Sequence, residues 1–453
     1  MRVAVVGGGI AGMAAAWQAV TDGHEVVLVE ASDRLGGKIR TSAFGGLPVD
    51  EGPDAFLTRV PDATALCAEI GLDDLVPPAT GKAYLWARGA LRPIPEATVL
   101  GIPTDLSTVA PTGLLTEAGL SRAAMEPTLA GPAMTDDTSI GELVRRRFGD
   151  EVADYLVDPL LGGINAGGID NLSVEVAAAQ VAAVARRSES LMVGLAAMRA
   201  AAPPSGASVF LAPRGGMQEL VDRLAGALTE AGAQLRTGVS AERLEPVGGG
   251  WTVFVGRGSN VEADRIVVAS PAPTTAALLK PHALKAADAI AAIDHASVAL
   301  VTLLYPKHAI GLEVDGSGFL VPRPEGRMLT ACSWFSSKWA HLDLPGHVIM
   351  RASVGRFGDA ASLTLDDGPL VDQVHAELTE AMGLTARPTE ARVSRWFDAF
   401  PQFAPGHLNR MAEVDDSIAE DAPGLAVAGS FLRGVGLPAC IKGGREAATR
   451  LTV

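Results

Sequence analysis

MRVAVVGGGIAGMAAAWQAVTDGHEVVLVEASDRLGGKIR, residues Met1 to Arg40, opens the chain and decides its fold. Val3 to Val6 is an apolar, β-branched run of the kind buried in a parallel sheet. Gly7, Gly9 and Gly12 follow at G-x-G-x-x-G spacing, with Gly8, Ile10 and Ala11 between them. Met13 to Val20 is apolar and Ala-rich, predicting a helix that Asp22-Gly23 closes. Val26 to Val29 is a second buried strand, ended by Glu30. Each part has a chemical use. Gly7 permits a tight strand-to-helix turn, Gly9 a close backbone approach to a pyrophosphate, and Gly12 close packing of helix on sheet. The helix N-terminus offers free N–H groups and partial positive charge to phosphate. Glu30, eighteen residues after Gly12, is placed to accept hydrogen bonds from ribose hydroxyls. Strand, helix, strand and acid together predict a nucleotide-binding unit; a Gly-rich turn without nucleotide is the weaker reading.

After Glu30 the chain continues Ala31-Ser32-Asp33-Arg34-Leu35-Gly36-Gly37-Lys38. A plain NAD domain proceeds to another helix here, whereas a Gly-Gly pair with flanking cations predicts a second backbone approach. The pattern resembles the flavin-dependent amine oxidase and desaturase superfamily, where E-A-x-x-R-x-G-G-[KR] follows the first motif. That resemblance implies FAD.

The 453 residues are enough for two or three domains, and 48% apolar with 20% charged residues suits a globular protein with a large core. A net charge of −15 argues against nucleic acid as the main partner, though a local basic pocket for a small anion remains compatible. Cys67, Cys332 and Cys440 are widely spaced with no CxxC among them, which predicts no metal site, no disulfide framework and a reducing compartment. The first strand starts at once, so no signal peptide is expected. No apolar run reaches about 20 residues, so no transmembrane helix is expected.

Further along, Gly45 to Phe56 suggests a hairpin turn, then an extended segment broken at Gly52-Pro53, with Asp50 and Glu51 expected in solvent or turns. Pro61 to Ile70 reads as a helix with Cys67 on its buried stripe. Lys82 to Trp86 and Leu91 to Ile94 read as strands joined by Arg88-Gly89. From Leu106 to about Ala202 the chain is helical in character, with Arg145-Arg146-Arg147 expected on a solvated face. Leu160 to Asp170, LLGGINAGGID, is expected to be a tightly bent loop. Pro203 to Gly206 is a linker, Gln218 to Ala231 a helix, and Asp264 to Ser270 a return to the nucleotide-binding unit. Residues 272 to 395 mix strands and helices, with His295 and Cys332 expected in core roles. Ala439 to Leu451 is a helix whose N-terminus could favour negative charge on a reduced flavin.

A closer resemblance spans nearly the whole chain. Gly52-Pro53-Asp54-Ala55-Phe56-Leu57, Arg92-Pro93-Ile94-Pro95, Gly101-Ile102-Pro103-Thr104, Arg145 to Val152, Pro159 to Gly167, Ser394-Arg395-Trp396 and Gly434 to Pro438 are similar, in order, to the protoporphyrinogen oxidase family. The sequence most resembles that family's soluble Gram-positive type, which acts as coproporphyrinogen III oxidase. Asp54 departs from the mitochondrial pattern, which carries Arg there.

The resemblance implies an α/β fold: a discontinuous, Rossmann-like FAD-binding domain (1–80, 203–271, 396–453), a mixed α+β substrate domain (hairpin 81–105, then 272–395) and a helical insertion (106–202). It implies FAD contacts from Gly7, Gly8, Gly9, Ile10, Ala11, Gly12, Glu30, Ala31, Lys38, Gly52, Pro53, Asp54, Ala55, Ala241, Trp396, Gly436, Leu437 and Pro438. The implied activity removes six electrons from a porphyrinogen, O2 serving as acceptor and H2O2 forming. Flavin N5 carries the hydride step, so no catalytic side chain is assigned. Four propionates call for cations, and Lys82, Arg88 and Arg92 are the candidates, with plain surface roles as the alternative. The resemblance also implies a cytoplasmic enzyme handing its product to a ferrochelatase. For the apolar faces of the insertion, core packing is preferred over a peripheral membrane contact. The competing functions are protoporphyrinogen IX oxidation, another amine oxidase or desaturase activity, and a non-enzymatic flavin-binding regulator of haem synthesis.

Overall fold

A computed structural model describes residues 1–129, 133–201, 208–256 and 259–452; the predicted linker Pro203 to Gly206 lies outside them. The opening motif folds as read: strand β1 (Arg2–Val6), helix α1 (Ile10–Thr21) and strand β2 (Glu25–Val29). A parallel five-stranded sheet runs Gln234–Arg236, β2, β1, Arg265–Val268, Leu425–Val427. Three distant stretches of chain thus build one sheet. Apart from the edge strand Gln234–Arg236, its strands are buried on both faces, which is why they read as continuous apolar runs.

Helix α1 has a face of Met13, Ala14, Ala15, Ala16 and Ala19, all fully buried. Small side chains let the C-terminal helix, Leu437–Thr452, press against it. At the crossing, a Cβ on Gly444 would collide with the Ala11 carbonyl.

The second large unit is a seven-stranded sheet ordered Glu390–Pro401, His295–Pro306, His347–Val354, Leu329–Trp334, Gly318–Leu320, Tyr84–Ala87, Ala90–Pro93. One face packs Val301, Leu303, Met350, Ala352 and Cys332 against helix Asp367–Met382. The other face turns toward the nucleotide-binding unit. A helical region between residues 110 and 201 has its own core of Leu143, Phe148, Leu156, Val181 and Leu195.

Three expectations need correction. Asp50 and Glu51 are buried, not solvated, because distant donors reach them. Leu160 to Asn165 is helical: a π-helix covers Ala153–Gly162 and a further turn Gly163–Asn165, before Ala166 bends the chain at φ 48°. The wider π turn tolerates Pro159, which has no N–H to donate, and Leu156, Val157 and Leu161 supply a buried face. Of the three consecutive arginines only Arg146 is exposed. Arg145 pairs with Asp150, Asp154 and Asp170, and Arg147 is buried, donating to the Glu189 carbonyl at 2.6 Å. Cys67 and Cys332 are buried as expected, and half-buried His295 has its Nδ1 2.8 Å from the Ile293 carbonyl.

Replacing Gly444 by Val forces side-chain volume into the closest helix contact. The expected loss is about 1–3 kcal/mol of unfolding free energy, read by denaturant titration against Gly443→Val, where a Cβ meets nothing within 4 Å.

Candidate cofactor and substrate site

The cradle begins at Gly7, whose φ of 112° and proximity to the Ala269 carbonyl leave no room for a side chain. A Cβ on Gly12 would strike the Gly7 carbonyl, so strand end and helix start are locked together. Gly9 differs: a Cβ there meets nothing within 4 Å, so its outer face is open. Helix α1 starts just beyond it with no side-chain cap, leaving first-turn N–H groups for an anion. The Gly8 N–H donates to Glu30 Oε2 at 2.7 Å, and Ser32 donates to Oε1 from its N–H at 2.8 Å and its hydroxyl at 2.7 Å. Each carboxylate oxygen can accept further bonds.

The second glycine pair lies directly on the first motif. Gly36 donates to the Gly8 carbonyl at 2.8 Å, and a Cβ on Gly37 would stand 3.2 Å from Gly9 Cα. Next to it, the Lys38 ammonium bonds the Ala399 carbonyl and approaches Ser430 Oγ at 3.5 Å. Burial among these groups lowers its pKa below the usual lysine value. The Lys38 carbonyl abuts Gly52 so closely that a Cβ there would collide with it. Trp396 closes over this contact, donating Nε1–H to the Glu51 carbonyl at 2.7 Å.

The remaining predicted positions extend the same line. Val239 donates to the Glu30 carbonyl and Gly238 to the Ser32 carbonyl, which brings strand Ala241–Val247 to the motif's acidic end, beside exposed Ala31. At the other end Gly434 turns at φ 142°, Gly436 is exposed and Leu437–Pro438 start the C-terminal helix. The open face at Gly9, the uncapped start of α1 and the aligned glycine backbones fit an extended dinucleotide with its pyrophosphate at Gly7 to Gly12.

A second opening lies on the free face of the large sheet. Pairing aligns Leu300 with Ser353, Ser353 with Ala331, and Ala331 with Leu320. All four are half-buried in mid-sheet, while their strand neighbours Val301, Ala352, Cys332 and Phe319 are buried on the opposite face. The row is therefore the floor of a shelf. Trp396 stands one position along, paired with Val298, and packs with Ala166 and Phe357. Gly163 of the helical region approaches Leu320 at the other end, beside Ile164, which is 56% exposed.

The three predicted cations sit differently. Lys82 pairs with Asp315 at 2.8 Å on the surface. Arg88 holds Glu151 at 3.1 Å and donates to the Leu114 carbonyl, while serving the hairpin turn at φ 53°. Arg92 lies beyond the shelf on the same row, past buried Leu85, its guanidinium turned to the carbonyls of Ala87 and Thr112.

The electrostatics centre on residues 50–54. Burial alone would raise the Asp54 carboxyl, but Lys338 at 2.6 Å and Arg351 at 3.1 Å hold it far below the usual range. Glu51 is likewise opposed by burial but held below its ordinary value by hydrogen bonds from Ser42 and Ser394 and by Arg392 and Arg40. Asp50 goes the other way: burial raises it to about 6, although Thr41 and the Met217 N–H favour its charged form. Neither Lys338 nor Arg351 was singled out in the sequence. The one available signal was polar Arg351 and Ser353 alternating inside the apolar run HVIMRASV. Among the described residues no group of three or more His, Cys, Asp or Glu could hold a metal, and no helix is long and apolar enough to cross a membrane.

Parallel sheet, glycine cradle and paired openings define a flavin-dependent oxidoreductase, and comparison gives the family. The model of the flavin containing amine oxidoreductases matches residues 10–452; the chain belongs to this family, and FAD is its cofactor. Within it, the chain is 34% identical to the coproporphyrinogen III oxidase of Bacillus subtilis (strain 168), over 98% of this chain and 97% of the other. The coproporphyrinogen III oxidase of Mycobacterium tuberculosis (strain H37Rv) is 37% identical over 98% and 96%. A crystal structure assigned to a protoporphyrinogen oxidase of Exiguobacterium sp. 255-15 superimposes with TM-score 0.89 at 31% identity, over 99% of this chain and 98% of that one.

The Asp50 shift has a definite sign. Its folded pKa lies above the unfolded value, so the proton is held more tightly in the fold and the ionised carboxylate opposes folding. That cost grows as pH rises from about 4 to about 6 and is constant above. Asp50→Asn, which keeps an acceptor for Thr41 and Met217, is expected to gain stability over wild type across that window, by at most about 3 kcal/mol. Denaturant titrations through the window check this; an advantage that shrinks as pH rises contradicts it.

Proposed function

We propose that the protein oxidises coproporphyrinogen III to coproporphyrin III in haem biosynthesis. The observation carrying this reading is the shelf. A row of Leu300, Ser353, Ala331 and Leu320 runs from Trp396 toward Gly163 and is wide enough, in strands, for a disc-shaped macrocycle. Strands in a sheet lie about 4.8 Å apart, so four of them span roughly 14 Å. Full-length likeness to coproporphyrinogen III oxidases supports the same substrate.

Bound FAD supplies a two-electron hydride acceptor at N5, with O2 as the final acceptor and H2O2 as product. Three rounds would each remove a hydride from a bridging carbon and a proton from the macrocycle, two of the three protons coming from pyrrole nitrogens and the third from the fourth bridging carbon, so that four bridge hydrogens and two N–H hydrogens are lost in all. The chain's part is positional. The N–H groups at Gly7 to Gly12 take the pyrophosphate, Glu30 the ribose, and Ala241 the adenine side by its backbone. Gly52 to Ala55 would lie near the ring, Trp396 and Gly436 to Pro438 would complete its site, and the start of the C-terminal helix would favour negative charge on it. The sheet floor presents the macrocycle and keeps water from its underside. All three predicted cations are engaged within the fold, Lys82 with Asp315, Arg88 with Glu151 and Arg92 with the Ala87 and Thr112 carbonyls, so a propionate would have to draw Arg92, at the end of the row, away from those carbonyls.

The division into an FAD-binding domain (1–80, 203–271, 396–453), a substrate domain (81–105, 272–395) and a helical insertion (106–202) belongs to the same proposal; the two sheet orders support its outline, except that strand Glu390–Pro401 carries residues 396–401 with the substrate sheet. So do a cytoplasmic site of action, consistent with three free, buried cysteines, and a ferrochelatase as recipient of the product. Protoporphyrinogen IX is the second substrate reading, favoured by the Exiguobacterium likeness.

The deciding assay follows porphyrin fluorescence and peroxide with coproporphyrinogen III, protoporphyrinogen IX and a panel of amines. Coproporphyrinogen III should turn over fastest; turnover of amines without porphyrin formation would sink the proposal. Ala331→Phe should fill the shelf, raising KM for coproporphyrinogen about tenfold or more, equivalent to ~1.4 kcal/mol of binding, with FAD content unchanged.

A further inference from the structure

Asp54 lies between two cations that come from the far half of the chain. Its carboxylate accepts from Lys338 Nζ at 2.6 Å, from Trp339 Nε1 at 3.1 Å and from Arg351 at 3.1 Å. The three charged side chains keep only 15%, 18% and 10% of their exposure, in the order Asp54, Lys338, Arg351. The other arm of Arg351 donates to the Gly52 carbonyl at 2.6 Å and the Asp50 carbonyl at 3.2 Å, and its guanidinium lies 4.5 Å from the Phe335 ring centre.

One carboxylate thus faces two cations. Of the neighbouring acids, Glu51 is turned to Arg40, Arg392, Ser42 and Ser394, and Asp50 directs Oδ1 to Thr41 and the Met217 N–H while also lying within the field of Arg351 and Asp54; of the three, Asp54 alone makes direct ion pairs with the two cations. A surplus cation in a protein interior is costly unless something uses it. Fold stability alone would be served as well by a neutral pair. The cluster is also anchored to the backbone of Asp50 and Gly52, the stretch assigned to the flavin ring.

We propose that Asp54, Lys338 and Arg351 form a positioning and charge-setting element for the flavin. Arg351 aims the Gly52–Ala55 backbone at the ring, and the surplus positive charge raises the midpoint potential of bound FAD. The inference rests on the placement of Gly52 to Ala55 at the flavin. Reduction adds negative charge to the ring, and a fixed cation in a dry site favours that state without reorganisation.

The charge assignment predicts opposite effects from two replacements within one cluster. In the full-length, FAD-loaded protein, Asp54→Asn leaves both cations unopposed and should raise the midpoint potential. Lys338→Met removes one cation and should lower it. Each shift should change the reduced-to-oxidised ratio at fixed potential about tenfold, close to 30 mV for a two-electron couple. Arg351→Lys keeps the charge, so its potential should stay near wild type while the visible circular dichroism of the flavin changes. Dye-equilibrated reduction and flavin spectra supply these readouts. A purely structural cluster would shift both variants in one direction, or neither, and either result overturns the proposal. If Asp54→Asn fails to retain FAD, Lys338→Met decides alone: an unchanged or raised potential refutes it. Porphyrin formation by the wild type is scored separately. Opposite shifts without porphyrin formation would uphold the charge element and reject the substrate.

Discussion

The largely buried carboxylate of Asp54 is held between two cations, Lys338 and Arg351. Lys338 and Arg351 belong to the seven-stranded-sheet unit and Asp54 to the N-terminal stretch, so their pairing ties residues 50–55 to that sheet. Breaking such a pair from one side leaves an uncompensated buried charge, which is far costlier than the pair is stabilising. Arg351 extends the constraint to the Asp50 and Gly52 carbonyls, and Trp396 extends it to Glu51. The stretch from Asp50 to Ala55 is therefore held from the substrate-sheet side by side chains and from the nucleotide-binding side by the Lys38 carbonyl against Gly52.

From that constraint the site follows. A glycine-lined cradle opens on one side of residues 50–55, and a sheet face with small residues opens on the other. The shelf exists because Ser353 and Ala331 are small where their neighbours in the sheet are large. Its ends are set by the helical region, through Gly163 at Leu320 and Ala166 at Phe357 and Trp396. The strained αL backbone of Ala166 is what turns the chain there, ending the helix that the glycine content had disguised as a loop.

The cradle was legible in residues 1 to 40 because its chemistry is local. Gly12 abuts Gly7 and Glu30 accepts from the Gly8 N–H, all within thirty residues, and the close approach at Gly7 and Gly12 is one only glycine allows. The resemblance of the glycine pair and of the distant Trp396 and Gly434–Pro438 segments carried FAD and the oxidase family. The local reading failed where burial depended on distant partners. Asp50 and Glu51 looked like turn residues, yet Met217, Ser394 and Arg392 bury and bind them. Arg147 looked solvated, yet the helix period turned it inward to the Glu189 carbonyl.

The sequence by itself determined the nucleotide-binding unit, its cofactor class and the apolar strands of both sheets, since these follow from backbone freedom, periodicity and short-range spacing. Only the tertiary structure decided which cations matter. Lys82, Arg88 and Arg92 were conspicuous in the chain but bind Asp315, Glu151 and backbone carbonyls, whereas Lys338 and Arg351, inconspicuous in their segments, meet Asp54 nearly three hundred residues away. Charge pairing in an interior depends on proximity in space, and proximity across such separations is set by packing rather than by sequence spacing.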